Sequence, residues 1–263
     1  MCQAFSFLIT VDCHAKWKFG MDSHEEIIKE FGFRDDGHGF ARCEIAPKNK
    51  SYLLPDEWIF RLDEQSKPEW WTPAHKAEAW GAWKDWKKRL DKTLIYKPIV
   101  HPFRDIKPPK EITKKHLSLL KQWDSVRASA RASVGASVRA SVRDSVWDSV
   151  GDSVWDSVRD SVRDSVRDSV GDSVWASIGD SVWASVWASI GDSVWASVWA
   201  YSGSFFNLPR PAWKYTEKIT GKGYPFQPAV DLWMMDLVPS YDGKTWRLHG
   251  GVDGKVLWEG GTE

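Results

Sequence analysis

The apolar positions along this chain follow three different spacings. Residues 4–10, 40–46 and 58–62 are short runs rich in β-branched and aromatic residues, bounded by turn formers, and they predict β-strands. Between the first two, Ser23 is followed three residues later by Glu26 and then by Ile27, Ile28 and Phe31, the pattern of a capped helix. Thr72-Pro73 opens a second helix, with threonine as N-cap and proline in the first turn. Along it Trp80, Trp83, Trp86, Leu90 and Leu94 recur at steps of three and four, so they share one face, which predicts a helix packed on a sheet. Pro98, Pro102, Pro108 and Pro109 among basic residues mark a linker over 97–112. Thr113 then caps a short helix carrying Leu117, Leu119, Leu120 and Trp123. Past Pro209 and Pro211, the tail predicts a helix over 228–237 and a hairpin of strands 245–249 and 255–258. Asp242-Gly243 and Asp253-Gly254 supply its turn chemistry.

The third spacing is a strict four. From 124 to 199 one unit, Asp/Ala-Ser-Val/Ile-Arg/Trp/Gly, recurs with Ala130 as the one exception at its third position. Repeats of this regularity decide a fold before any other signal. The fourth position accepts everything from glycine to tryptophan, as in Arg127, Gly135 and Trp147, and reads as solvent-facing. The serine and valine positions read as inward. A single-base change links Arg, Trp and Gly codons, so the run also reads as an expanded twelve-nucleotide tract, which explains its origin and leaves its shape open.

Two shapes compete. In an α-helix a four-residue step advances about 400°, so each position drifts about 40° per unit and no face stays buried for long. Ser, Val and Gly are also indifferent or poor helix formers. In a β-solenoid every unit occupies an equivalent place. The expected fold is therefore an α+β N-terminal domain (1–96), the linker 97–112, a capping helix with a short-repeat β-solenoid (113–204) and a small helix-and-hairpin module (205–263). One long α-helix through the repeat is the alternative.

Units such as Ala140-Ser141-Val142-Arg143 and Asp152-Ser153-Val154-Trp155 resemble the pentapeptide-repeat family, in a tetrapeptide variant. That resemblance implies a slim right-handed β-helix. Some of its members imitate DNA with a strongly acidic surface, whereas Arg159, Arg163 and Arg167 alternate here with aspartates. The flanking segments resemble phage and bacterial proteins to which no activity is attached. Late in the run a twelve-residue period appears, which predicts three units per coil, Trp175, Trp187 and Trp199 in one ladder, Trp183 with Trp195 in another, and Gly179, Gly191 and Gly203 in a bare column. These tryptophans, with Gly179 and Gly191, are the candidate partner-binding residues. Leu117, Leu120 and Trp123 are expected to cover the first coil, and Tyr201, Phe205 and Phe206 the last.

Composition adds bounds. Basic and acidic residues balance at 36 each, so no overall field draws the chain to nucleic acid. No apolar run reaches the roughly 20 residues of a membrane span. The three cysteines, Cys2, Cys13 and Cys43, suit a reducing, cytoplasmic setting, and no signal peptide is expected. Asp12, Cys13, His14, His24, His38 and Cys43 are metal-ligand types whose spacing matches no zinc pattern, so no metal and no cofactor is expected. The glycine-rich turn 35–39 lacks phosphate-loop spacing, the repeat serines have no nearby histidine, and His249-Gly250-Gly251 reads as a hairpin turn, so no catalytic residue is assigned. The leading expectation is a non-enzymatic interaction or scaffold protein with a protein partner or self-association. Alternatives are a small enzyme or ligand-binding domain at 1–95 with the repeat as spacer, and an ice-binding-type solenoid.

Overall fold

The computed structural model describes residues 5–48, 57–133, 135–163, 166, 170, 174 and 184–261; for 152, 153, 157 and 184–190 it describes the backbone alone. The chain forms two compact units, residues 1–96 with 147–161 and residues 97–146 with 162–263.

In the first unit β1 (Phe5–Thr10), β2 (Ala15–Lys16), β3 (Phe40–Pro47) and β4 (Trp58–Leu62) form an antiparallel sheet in the order β2-β1-β3-β4. Helix α1 (His24–Glu30) covers one face, where Ile27 packs with Leu8 and Phe40. Helix α2 (Pro73–Thr93) covers the other, where Trp86 stacks on Phe5 with ring centres 5.1 Å apart. Cover on both sides is why every residue of β1 is buried, Ser6 and Thr10 included. The α2 cap is completed by a histidine in place of glutamate: His75 Nδ1 accepts the Thr72 N–H at 3.0 Å. The same device opens the helix Lys114–Ala132, where His116 Nδ1 accepts the Thr113 N–H at 3.0 Å. At α1 Ser23 occupies the N-cap position, yet its hydroxyl makes no capping bond.

The second unit contains α3 (Pro102–Asp105), α4 (Lys114–Ala132) and most of α5 (Val138–Val150). The short α6 (Asp152–Val162) belongs almost wholly to the first unit. Helix α7 (Ala184–Gly203) and α8 (Gln227–Trp233) follow in the second, then the antiparallel sheet β5 (Val238–Tyr241), β6 (Trp246–Gly250) and β7 (Lys255–Gly260), in that order.

The repeat departs from expectation. Its described residues contain no strand and no β-solenoid coil, so the pentapeptide-repeat-like β-helix does not form. One long helix does not form either. Among the described residues the run contains the end of α4, then α5, α6 and α7. Drift carries valines out of the core only in an unbroken helix, and the fourth-position glycines Gly135 and Gly151 interrupt the run, whereas Gly191 lies inside a helix. Gly135 and Gly151 adopt φ of +70° and +88°, a left-handed conformation that ends helices and suits glycine. A Cβ at Gly151 would also lie 3.0 Å from the Gly20 carbonyl oxygen. Helix α5 holds 13 residues, over which its valines drift by only about 120° before the next helix starts afresh. Val138, Val142, Val146, Val150, Val154, Val158 and Val162 all stay buried. Burying a valine gains about 1.5–3 kcal/mol, against a helix-propensity cost of about 0.7 kcal/mol or less, so packing decides the conformation.

The serines gain partners as the helices pack. Ser145 Oγ donates to the Ser141 carbonyl at 2.6 Å and accepts the Lys214 N–H at 2.7 Å. Ser193 Oγ accepts the Tyr241 N–H at 2.8 Å. Leu120, Trp123, Tyr201, Phe205 and Phe206, expected to cap coils, are instead core of the second unit, and Leu117 is half-buried. Tyr201 stacks on Trp233 at 4.8 Å. Trp233 Nε1 donates to the Val100 carbonyl at 2.9 Å, and the Val100 N–H donates to the Tyr201 hydroxyl at 2.8 Å.

Candidate metal centre

The expected stacking of Trp187 on Trp199 does not form. Trp187, Gly191, Trp195 and Trp199 lie on the single helix α7, where Trp187 and Trp199 are about 18 Å apart along the axis. Trp175, Gly179 and Trp183 lie outside the described residues. Trp195 and Trp199 are half-buried, and Arg139 sits over the Trp199 ring at 5.3 Å. Not every fourth-position residue faces solvent: Trp155 is wholly buried, while Trp147 is 50 % exposed.

The structure assembles a different group, His24, Glu44 and Asp63, whose ligand atoms all lie within 4.8 Å of one another. Each comes from a separate element. His24 is the first residue of α1, Glu44 sits in β3, and Asp63 follows β4. Strand register places them together. Pairing aligns Ser6 with Glu44 and Glu44 with Arg61, on the sheet face that α1 covers. The Asp63 N–H donates to the Arg42 carbonyl at 2.9 Å, which carries that face one residue past the end of β4.

His24 is buried, and its Nε2 lies 3.0 Å from the Cys43 carbonyl oxygen. A carbonyl only accepts, so Nε2 carries the proton. In the neutral ring Nδ1 is then a lone pair, 3.4 Å from Asp63 Oδ2. Glu44 is 8 % exposed, and its carboxylate has no hydrogen-bond or ion-pair partner among the described residues. Ser6, directly opposite Glu44, has a buried hydroxyl without a partner. One ring nitrogen and two carboxylates thus converge. Either a proton on Nδ1 or a cation satisfies them.

The donor set suits a divalent ion of the zinc or manganese kind. One imidazole and two carboxylates at about 2.0–2.2 Å from a tetrahedral ion would stand about 3.4 Å apart. A backbone carbonyl on the far ring nitrogen is the usual support for a ligating histidine. Cys43 takes no part. Burial first, then Glu64 and Asp63, push its thiol far above the ordinary range, and it pairs with Phe7 on the α2 face. Asp63 is the exposed member and borders a surface cavity of about 630 Å³ with Phe40, Arg42 and Glu64. Arg42 is held there by Asp35 and Glu64, so it does not neutralise Glu44.

The other ligand types in the sequence stay apart. Asp12 and His14 lie 3.8 Å from each other in an exposed turn, and exposed His38 donates its N–H to Asp36. His24 stood among the residues set aside on spacing. Glu44 and Asp63 carried a weaker signal: an acidic residue in an apolar strand, and one just past another.

No protein-family model, curated protein or solved structure matches this chain. Among the described residues no helix is long and apolar enough to cross a membrane.

Proposed function

We propose that the first unit is a divalent-cation-binding domain with His24, Glu44 and Asp63 as protein ligands. The observation that carries this reading is the convergence of the His24 ring nitrogen with the Glu44 and Asp63 carboxylates, whose ligand atoms lie within 4.8 Å of one another. Three protein ligands leave coordination positions for water or for an oxygen of a bound molecule, and Asp63 opens toward the cavity. Equilibrium dialysis of the chelator-treated chain against Zn²⁺ and Mn²⁺ tests it. The expected result is one ion per chain for one of the two, lost in His24→Ala and in Asp63→Asn. No stoichiometric uptake of either ion by the folded chain would refute it.

A second reading, self-association through the repeat, draws on half-exposed Trp147 at the fourth position of a unit in α5. Sedimentation of the wild type against Trp147→Ser tests it, and a monomer in both removes it. The ice-binding alternative has no support, since Ser141, Ser145, Ser193 and Ser197 are buried rather than arrayed on a surface.

A further inference from the structure

The second unit holds a cleft of about 370 Å³, in the size range of small-ligand sites. One wall is a face of α4, with Gln122, Ser125 and Ser129 at helical spacing. The other is the loop that precedes α8, with Lys218 and Lys222, and Arg210 lies beside it. None of these three cations has a carboxylate partner within ion-pair distance among the described residues. Arg210 spends its donors within the chain, on the Thr216 hydroxyl at 2.6 Å and on the carbonyls of Thr216 and Ile219. Burial works against its charge. Among the described residues Lys218 Nζ reaches only the Ala132 carbonyl, at 3.2 Å. Asp231 is the one acidic lining residue, and it accepts a hydrogen bond from Gln227 at 2.8 Å. The cleft is therefore cationic within a chain of zero net charge.

The loop adds main-chain donors. Gly221 and Gly223 adopt φ of +110° and +83°, a conformation that glycine alone takes without strain. Among the described residues the N–H groups of Thr220, Gly221, Lys222 and Gly223 donate to no acceptor in the chain. Successive N–H groups around left-handed residues form concave anion sites. A phosphate has the charge and the acceptor oxygens that two lysines and such a loop can satisfy. The hydroxyl and amide groups of Ser125, Ser129 and Gln122 suit the hydroxyls of an attached polyol.

We infer that this cleft binds the phosphate group of a small molecule, with Lys218, Lys222 and the 220–223 main chain as its anion contacts. Titration calorimetry of the full chain with inorganic phosphate, ribose 5-phosphate and ribose tests it, and separates free phosphate from a sugar-borne one. The expected result is saturable binding of at least one phosphate probe and none of ribose. Affinity should fall about tenfold or more in a Lys218→Gln/Lys222→Gln variant, whose changes are both on exposed side chains. A thermal melt checks that the variant is folded. Absence of saturable binding by either phosphate probe, or a folded variant binding within twofold of wild type, would overturn the inference. Chelator in the cell leaves the expected binding intact, so failure here and failure of the cation site are read separately.

Discussion

Replacing Glu44 by glutamine should change the sign of its effect on stability when a cation is supplied. The two side chains have nearly the same size, so packing is kept and the charge alone is lost. Without a cation the carboxylate of this nearly buried residue lies within 4.8 Å of the Asp63 carboxylate. Like charges this close repel, and low exposure adds a desolvation cost, together about 1–2 kcal/mol. In chelator the Glu44→Gln chain should therefore be more stable than wild type by about 1–2 kcal/mol. A bound ion reverses this. Wild type gains about 2.7 kcal/mol when the free ion is about 100 times its Kd, and the variant, lacking one of three ligands, gains little. Urea denaturation followed by tryptophan fluorescence, in EDTA and in Mn²⁺ or Zn²⁺, gives both differences. Hydrogen exchange of the β3 amides assigns the transition to the first unit. The order of the two midpoints should cross between chelator and ion. Equal stabilisation of both chains by the ion, or a weaker variant in EDTA, would refute the reasoning.

Two buried titrating groups in the second unit should oppose each other. Burial lifts Asp236 from 3.8 to about 6 and lowers His249 from 6.5 to about 4. The folded state therefore holds the Asp236 proton more tightly, and stability falls as pH rises from about 4 to 6. His249 binds its proton more weakly when folded, and stability falls as pH drops from 6.5 to 4. Asp236→Asn should leave the His249 contribution alone, so the variant gains up to about 3 kcal/mol over wild type above pH 6 and loses it by pH 4; parallel pH–stability curves would refute this. Gly203→Ala should cost about 1–3 kcal/mol, because its Cβ would lie 3.0 Å from Val142 Cγ1 and closer still to the Tyr224 hydroxyl, which is held by the Ala200 carbonyl. Gly81→Ala, in open space on α2, should stabilise by about 0.5–1 kcal/mol, and thermal melts of the pair decide. Val142→Ala should cost about 2 kcal/mol in urea melts while Arg143→Ala next to it costs under about 0.5, and equal losses would contradict the buried valine column.

Much of the local structure was legible because it depends on short-range rules. The strands Phe40–Pro47 and Trp58–Leu62 lie where runs rich in β-branched and aromatic residues, 40–46 and 58–62, put them, and the helix from Pro73 lies where helical spacing does. Thr72 and Thr113 cap as threonines do, although the histidine completing each box was not foreseen. The candidate metal centre was not legible, since register between β1, β3 and β4 brings residues 24, 44 and 63 together and no local spacing encodes that register.

The repeat shows the division most clearly. Its four-residue period by itself determined that each valine of the repeat follows a serine, and that a glycine recurs at some of the fourth positions. A period of four is compatible with a solenoid coil and with a short helix alike, because local propensities differ by less than about 1 kcal/mol per residue. Tertiary structure made the choice. Gly135 and Gly151 end helices before the valines drift out of the core, and the serines find backbone partners at Lys214 and Tyr241, far along the chain. Burial of the valine column outweighs the poor helix propensity of the unit, and that term exists only once the helices have something to pack against.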